Sequence, residues 1–542
     1  MQYQRACYLN YPMTDSTLLH ELLLFTANRA PHAPALTHGT QTLTSADLSS
    51  AVSKFASGAL AHGVARSERI AVFLEKRIET VVTCFGAAAS GAVFVPLNPV
   101  LKPEQVAHIM RDCDVRVLVT SPERWAMLAS ALRDCSSLRT LVLTEGGAKS
   151  DVQQTVTWAE WLASPLRRGH RVIDTDVVAI LYTSGSTGRP KGVVLSHRNM
   201  VAGAKSVASY LGNQASDTLI AALPLSFDAG FSQLTTAFHV GARVVLLNHL
   251  LPRDVLNAMA KERVTGITAV PPLYIQLAAL EWPGSIGEHL RYFANTGGRM
   301  PRETLQALRA RVPSARPFLM YGLTEAFRST YLPPEEVDRR PDSIGKAIPN
   351  AEILVLRDDG TECTADEPGE LVHRGALVGL GYWNDPEKTA ERYRQLPVGV
   401  AGREACLPLP EVAVFSGDTV RRDAEGFLYF VGRRDEMIKT SGYRVSPTEV
   451  EEVLYATRLV GECAAFGVDH AKLGQAIQVV ATPPSGALVV DVDGLLAECR
   501  RRMPAYMVPA GVMALPGPLP RNPNGKIDRK QLAAHWNERP AG

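Results

Sequence analysis

The chain has 542 residues, of which 46% are hydrophobic and 21% charged, and 57 Lys and Arg residues against 55 Asp and Glu residues give a formal net charge of +2. This composition excludes an intrinsically disordered chain, and the small net charge gives no general attraction to nucleic acid or to an acidic membrane. At about 100–200 residues per domain, the length predicts about three or four units.

The eight cysteines are scattered along the chain and form no Cys-x-x-Cys pair. The apolar stretch near the start is too short for a signal peptide core or a membrane span. Scattered cysteines without an export signal are typical of reduced thiols, so we expect a cytoplasmic protein.

From about residue 44 to residue 247, helical patterns alternate with short apolar segments. A first helix is predicted after Thr44, because Asp47 follows it at capping-box spacing. Strands are predicted at residues 70–74, 115–119, 141–143, 177–182 and 244–247. Apolar runs separated by helices suit buried parallel strands, so this part predicts a large layered α/β body.

After about residue 345, short strands at 352–356, 370–373 and 426–431 alternate with Asp- and Gly-containing turns. They predict a small β-rich subdomain over about 345–434, within a large N-terminal domain of residues 1–434. Residues 435–542 mix strands with helices at 446–454 and 495–502, which predicts a small α+β C-terminal domain.

The strongest motif directly follows the predicted strand at 177–182. It consists of small, hydroxyl-bearing and glycine residues ahead of a lysine: Thr183, Ser184, Gly185, Ser186, Thr187, Gly188 and Lys191. Successive N–H groups, hydroxyls and a lysine are typical of a phosphate-binding loop. It differs from a Walker loop, because Pro190 precedes the lysine and Gly192 follows it.

The motif resembles that of the AMP-forming adenylating superfamily, which contains acyl-CoA synthetases, adenylation domains of nonribosomal peptide synthetases and luciferases. Four further motifs occur in the order of that family: residues 321–325 (YGLTE), 416–418 (SGD), 432–435 (GRRD) and 524–526 (NGK). The resemblance covers nearly the whole chain. The motif of residues 437–447 is more similar to free-standing acyl-CoA ligases than to peptide-synthetase modules. Its combination with a Phe-Asp pair at residues 227–228 resembles the ligases associated with bacterial exosortase gene clusters.

The resemblance implies three catalytic residues. Lys526 would bridge the substrate carboxylate and the α-phosphate during adenylation, and Thr324 would hydrogen-bond the α-phosphate. Glu325 would bind Mg²⁺, a hard cation that prefers carboxylate and phosphate oxygens. For each segment taken alone, a structural role is an alternative: a surface lysine, or a carboxylate at a helix start.

The resemblance also implies a nucleotide site beyond the phosphate-binding loop. Asp418 would accept hydrogen bonds from the ribose hydroxyls, and Arg433 would contact the ribose or a phosphate. Gly297 and Gly298 would lie against the adenine. The remaining residues assigned to the nucleotide are Tyr321 and Gly322.

The last domain is implied to rotate about a hinge at Asp435 after adenylation. The rotation would withdraw Lys526 and present Lys439 and Gly442 to a pantetheine arm. Packing at a strand end is the alternative for Lys439.

Three residues are assigned to the acyl substrate: Phe227, Asp228 and Leu323. A Phe-Asp pair is typical of amino-acid-activating relatives, in which the carboxylate pairs with the substrate ammonium. Asp228 therefore indicates an amine-bearing substrate, because an unpaired buried carboxylate is costly. The alternative, that Asp228 caps the helix beginning near residue 229, has equal weight.

The predicted function is an ATP-dependent, AMP-forming ligase that adenylates a carboxylic acid, releases pyrophosphate and transfers the acyl group to a thiol. ATP, Mg²⁺ and either CoA or a carrier-protein phosphopantetheine are the expected cofactors and co-substrates. The alternatives are a free-standing amino acid ligase that loads a separate carrier protein, and a catalytically inactive nucleotide-binding relative. A nucleic acid partner and a membrane span are not expected.

Overall fold

The computed structural model describes residues 15–147, 150–183, 190–400, 403, 406, 409–434, 436–440, 443–470, 473–522 and 526–537. Strands and helices alternate through these ranges, and the predicted α/β class is confirmed. No helix in them is long and apolar enough to cross a bilayer.

Within the described ranges the strands, numbered in chain order, are β1 (Pro34–His38), β2 (Gln41–Thr44), β3 (Arg69–Phe73), β4 (Val93–Pro96), β5 (Val115–Thr120), β6 (Thr140–Leu143), β7 (Gln154–Thr157), β8 (Val177–Thr183), β9 (Lys191–Ser196), β10 (Thr218–Ala221), β11 (Arg243–Leu246), β12 (Gly266–Ala269), β13 (Tyr292–Asn295), β14 (Arg316–Tyr321), β15 (Thr330–Leu332), β16 (Ser343–Ala347), β17 (Ala351–Leu356), β18 (Gly369–Gly375), β19 (Gly381–Tyr382), β20 (Tyr393–Gln395), β21 (Val412–Arg422), β22 (Leu428–Arg433), β23 (Ile438–Thr440), β24 (Tyr443–Val445), β25 (Cys463–His470), β26 (Gly474–Ala481) and β27 (Gly511–Ala514).

The α-helices of the same ranges are α1 (Glu21–Arg29), α2 (Ser45–Ala61), α3 (Ile78–Ser90), α4 (Pro103–Asp112), α5 (Pro122–Leu128), α6 (Trp158–Leu162), α7 (His197–Leu211), α8 (Asp228–Val240), α9 (Pro252–Lys261), α10 (Pro271–Ala278), α11 (Ser285–His289), α12 (Arg302–Arg311), α13 (Pro386–Arg392), α14 (Pro447–Thr457), α15 (Val492–Arg502) and α16 (Arg529–Asn537). Short 3₁₀ turns lie at Thr324–Ala326, Pro334–Glu336 and Ala505–Met507.

The chain divides into two compact units, and each is built from several stretches of sequence. The first unit contains Met1–Ile353, His373–Gln395 and Pro410–Val414. The second contains Leu354–Val372, Leu396–Leu409 and Phe415–Gly542. The predicted boundary between residues 434 and 435 stays a prediction.

The first unit holds two sheets. One orders its strands β16-β15-β14-β13-β12-β10-β11-β1-β2, and the other β19-β9-β8-β4-β3-β5-β6-β7. The pairs from β12 to β14, and those of β3 with β4 and β5, are parallel. Strands such as β4, β6 and β13 are buried along their whole length, as a parallel sheet covered on both faces requires.

All five strands predicted in the N-terminal part are present, as β3, β5, β6, β8 and β11. The predicted start of α2 is also confirmed, because the Thr44 hydroxyl accepts the Asp47 N–H and the Asp47 carboxylate accepts the Thr44 N–H at 3.1 Å.

In the second unit, β17, β18, β21 and β22 lie side by side. Another sheet has the order β24-β23-β26-β25, with β27 parallel to β26. Helices α14 and α15 pack with this sheet around a core that includes Val450, Leu454, Val479 and Leu495. Both helices include the residues predicted for them, apart from Ser446, which precedes α14.

Candidate active site

The Thr-Glu motif lies on the short turn that follows β14, at the carboxyl end of the parallel part of its sheet. Thr324 is buried, and Glu325 is partly exposed. The Gly379 N–H donates to the Glu325 carbonyl at 2.8 Å. Phe327 ends the turn at φ 58° and ψ −49°, a backbone conformation that a bulky side chain rarely adopts. Its ring is fully buried, and this burial holds the turn in place.

Glycine fits closely just before this turn. A Cβ on Gly322 would lie 3.1 Å from the Cα of Arg328, so a side chain there would force the neighbouring backbone to shift by a few tenths of an ångström. Tyr321 ends β14, and Leu323 packs against the core of the first unit.

Tyr382 joins the Thr-Glu turn to the base of the phosphate-binding motif. Its hydroxyl donates to the Glu325 carboxylate at 2.5 Å. The Lys191 ammonium lies 5.4 Å from the centre of the Tyr382 ring, within range of a cation–π interaction. Tyr382 thus contacts one residue of each of two separate motifs. It lies in neither motif itself, so it could not be recognised from the sequence.

The phosphate-binding motif is anchored by an antiparallel hairpin. Thr183, the last residue of β8, pairs with Lys191, the first residue of β9. Ser184, Gly185, Ser186, Thr187 and Gly188 lie outside the described residues. Burial lowers the pKa of Lys191, and the nearby Lys388 and Arg392 cations of α13 act in the same direction. An anion bound beside Lys191 would relieve this repulsion between cations.

Asp228 is the first residue of α8, so the N-cap position belongs to Phe227. The carboxylate accepts a hydrogen bond from the Thr324 hydroxyl at 3.3 Å and pairs with the Arg328 guanidinium at 3.2 Å. The side chains of Asp228 and Arg328 are only 4% and 2% exposed. The structure therefore gives Asp228 a third role besides the two that the sequence left open: it neutralises a buried arginine.

The two glycines predicted to lie against the adenine, Gly297 and Gly298, follow the end of β13. Gly297 has φ +75°, and a Cβ there would lie 3.2 Å from Val270 and 3.9 Å from the Phe227 ring. The Asn295 side chain donates to the Gly298 carbonyl at 2.8 Å and fixes the turn. Phe227 and the two glycines are thereby brought together.

In the second unit, Asp418 on β21 lies opposite Arg433 on β22. The Arg433 Nε lies 3.3 Å from the Asp418 carboxylate, whose side chain is 13% exposed. A nearly buried carboxylate beside an arginine at the end of β22 can accept hydrogen bonds from a polyol such as ribose.

Lys526 is exposed and lies in a tight hairpin. Asn522 closes the hairpin, because its N–H donates to the Lys526 carbonyl at 2.8 Å and its side chain accepts the Lys526 N–H at 3.1 Å. Glu462 holds the preceding segment, since it pairs with Arg521 and accepts the Leu519 N–H.

Lys439 lies on β23 with an exposed side chain, and its N–H donates to Gln475 at 2.9 Å. The predicted hinge residue Asp435 and the predicted tunnel residue Gly442 lie outside the described residues, so both assignments stay predictions.

The donor set of the first unit fits Mg²⁺ bound together with nucleotide phosphates. Among the described residues, no group of three or more His, Cys, Asp or Glu side chains is arranged to hold a metal ion. Mg²⁺ is usually bound by one or two carboxylates plus substrate phosphates, which is what Glu325 alone can support. The Tyr382 hydroxyl, which donates to this carboxylate, orients it.

The sequence matches the family of AMP-binding enzymes over residues 24–383 and the AMP-binding enzyme C-terminal domain over residues 449–526. The chain belongs to the AMP-binding enzyme family. The resemblance deduced from the five motifs is thereby confirmed.

Two curated relatives of this family member match over nearly their full length. Feruloyl-CoA synthase of an Amycolatopsis species is 31% identical over 510 residues, which are 92% of this chain and 95% of that protein. The L-proline–(L-prolyl-carrier protein) ligase of Streptomyces coelicolor is 31% identical over 523 residues, 93% of this chain and 94% of that protein.

The likeness extends to a solved structure, o-succinylbenzoate coenzyme A synthetase (MenE) of Bacillus subtilis in complex with ATP and magnesium ion. It matches with a TM-score of 0.79 at 27% identity and covers 94% of this chain and 98% of that one. Much longer relatives also match. The chain spans only 10% of a linear gramicidin synthase polypeptide of Brevibacillus parabrevis, at 28% identity.

Proposed function

We propose that this AMP-binding enzyme is an acid–thiol ligase of the acyl-CoA synthetase type. It adenylates a carboxylic acid with ATP, releases pyrophosphate and transfers the acyl group to the thiol of CoA. The observation that carries the proposal is the contact chain from Lys191 through Tyr382 to Glu325, which joins the base of the phosphate-binding motif to the Thr-Glu turn.

The physical problem of adenylation is the repulsion between a carboxylate and a phosphate. Two unit charges about 4 Å apart repel by about 4 kcal/mol at an effective dielectric constant near 20. Bound Mg²⁺ would neutralise part of the phosphate charge. Lys191 and Lys526 supply positive charge. The Thr324 hydroxyl donates its one proton to Asp228 in this structure and would turn to donate it to the α-phosphate when the nucleotide binds.

Other residues bind and orient the nucleotide in this proposal. Asp418 and Arg433 hold the ribose, and Gly297 and Gly298 leave room for the adenine. The hinge at Asp435 then exchanges Lys526 for the face that carries Lys439 and Gly442, which receives the pantetheine arm. Phe227 and Leu323 line the acyl side of the site.

A free-standing ligase that loads a carrier protein is the second candidate, and the similarity to a prolyl-carrier protein ligase supports it. The buried pairing of Asp228 with Arg328 argues against its amino-acid form, because that carboxylate is already neutralised. We also propose a cytoplasmic location, since the seven cysteines in the described residues are free thiols.

The test is carboxylate-dependent ATP–pyrophosphate exchange across fatty, aryl and amino acids, followed by a comparison of CoA with a carrier protein as acceptor. No exchange with any acid, while ATP still binds, would identify an inactive nucleotide-binding relative. A carrier protein that is acylated much faster than CoA would favour the second candidate.

Lys526→Ala separates the two half-reactions. We expect it to abolish most adenylation and to leave thioester formation from supplied acyl-adenylate largely intact, because the lysine acts only while the two anions are joined. Lys530→Ala is the matched control, since Lys530 is another exposed lysine nearby in sequence, on α16. Equal loss of both half-reactions in the Lys526 variant would contradict the assignment.

A further inference from the structure

A small cavity lies beside α8 in the first unit, with room for about one water molecule. Ala229, which directly follows Asp228, and Arg328, which pairs with Asp228, contribute to its wall. Most of the lining is apolar. The polar exceptions are Ser232, Gln233, Thr236, Thr268, Tyr292 and Arg328.

Two polar atoms in this lining are buried without a hydrogen-bond partner among the described residues. They are the Arg328 Nε, a donor, and the Gln233 Oε1, an acceptor. Other groups of both side chains are used: Arg328 Nη1 contacts Asp228 and the Phe327 carbonyl, and Gln233 Nε2 donates to the Thr268 carbonyl at 3.3 Å. A buried donor or acceptor left unpaired is costly, so the cavity is chemically incomplete as it stands.

The charge of the cavity determines which group can complete it. Arg328 and Asp228 form a pair with no net charge, and both are nearly fully buried. An ammonium group cannot accept a hydrogen bond from the Arg328 Nε–H and would be repelled by the guanidinium. A carboxylate has no proton to donate to the Gln233 Oε1. The site therefore suits a neutral group that both donates and accepts a hydrogen bond.

We propose that Arg328 and Gln233 are specificity-determining residues that select an acid carrying a hydroxyl group. The hydroxyl oxygen accepts from the Arg328 Nε–H, and its proton is donated to the Gln233 Oε1. Asp228 is a positioning residue, because it orients the guanidinium rather than binding the substrate. This inference rests on the proposed adenylating function and names the substrate class of the same site.

Matched acids that differ by one hydroxyl group test the inference in the ATP–pyrophosphate exchange assay. The pairs are benzoate with 3- and 4-hydroxybenzoate, cinnamate with 4-hydroxycinnamate, and octanoate with 8-hydroxyoctanoate. In at least one pair we expect kcat/KM to be about 10- to 100-fold higher for the hydroxylated acid, because its hydroxyl satisfies both buried atoms. Phenylalanine and terephthalate, which carry the excluded charges, should be poor substrates.

Two variants connect this preference with the named atoms. Arg328→Lys keeps a cation opposite Asp228 but lacks the Nε–H, and Gln233→Met keeps the side-chain length but lacks the Oε1. Each should lower the ratio of hydroxylated to unhydroxylated kcat/KM towards one. Arg243→Lys is the control, because it makes the same substitution in the partly buried Arg243–Glu262 pair, neither member of which lines the cavity, and should leave the ratio unchanged.

The outcomes distinguish the inference from the proposed function. Exchange without any hydroxyl preference would keep the ligase and overturn the inference, and would mean that the cavity holds only a bound water. A preference that survives both variants would also overturn it. If no acid supports exchange at all, the proposed function and the inference fail together.

Discussion

The hydrogen bond from Tyr382 to Glu325 gives the sharpest prediction from the first unit. Tyr382→Phe removes one hydroxyl, while the ring that lies beside Lys191 remains. A hydrogen bond to a charged group contributes about 1.5–3 kcal/mol, which corresponds to about 10- to 150-fold in rate at 1.36 kcal/mol per factor of ten. Because Glu325 is partly exposed, water can replace part of the lost interaction. We therefore expect a loss of about 10- to 30-fold in kcat/KM for Mg-ATP.

The assay is ATP–pyrophosphate exchange at several Mg²⁺ concentrations, with Tyr393→Phe as the control. The Tyr393 ring packs edge-on against Tyr382 at 5.7 Å, and its hydroxyl has no partner among the described side chains. The control should lose less than threefold, and the Tyr382 variant should also need more Mg²⁺ for half-maximal rate. If the two variants are equally active at every Mg²⁺ concentration, Tyr382 does not orient Glu325 and the reasoning is wrong.

Two further predictions concern the Lys526 hairpin and the stability of the first unit. Glu462→Gln weakens the ion pair with Arg521 that supports the hairpin. Because that pair is partly exposed, we expect only about a threefold to tenfold loss of adenylation activity. The control is Glu498→Gln, at an exposed pair on α15, which should have no effect; equal losses in the two variants would contradict the assignment. Burial lowers the pKa of His373 to about 3, below the value of about 6.5 in the unfolded chain. The free energy of unfolding is therefore unaffected by this group above about pH 6.5, and it falls by up to about 1.4 kcal/mol per pH unit as the pH drops towards 3, because only the unfolded chain takes up the proton. Urea unfolding of His373→Gln between pH 7 and 5 should show a shallower decline than the parent chain, whereas parallel declines would exclude this role.

The sequence predicted those elements whose cause is local. Strands β3, β5 and β8 are short apolar runs between helices, and a parallel sheet covered on both faces requires that pattern. The motifs that contain Lys191, Thr324 and Glu325 were also found from the sequence, because each is contiguous in the chain and resembles a motif of a known family.

The missed residues act through contacts that no spacing reveals. Tyr382 reaches Glu325 from 57 positions away, and Arg328 reaches Asp228 from 100 positions away. This mattered most for Asp228. Both roles that the sequence left open for it assumed that no cation of the protein itself lies beside its carboxylate. One hint was available, since Arg328 lies only three residues after Glu325, the last residue of the YGLTE motif.

The first unit is discontinuous in sequence, and this restricts how its chemistry can be separated from the rest. The turn that carries Glu325 belongs to the long opening stretch, whereas Tyr382 arrives with the returning stretch His373–Gln395. A fragment that stopped at residue 353 would retain Glu325 but lose the Tyr382 hydroxyl that hydrogen-bonds it. A fragment intended to retain both groups must therefore extend through at least residue 395. Because stretches of the second unit interrupt the first, no single cut in the chain separates the two units.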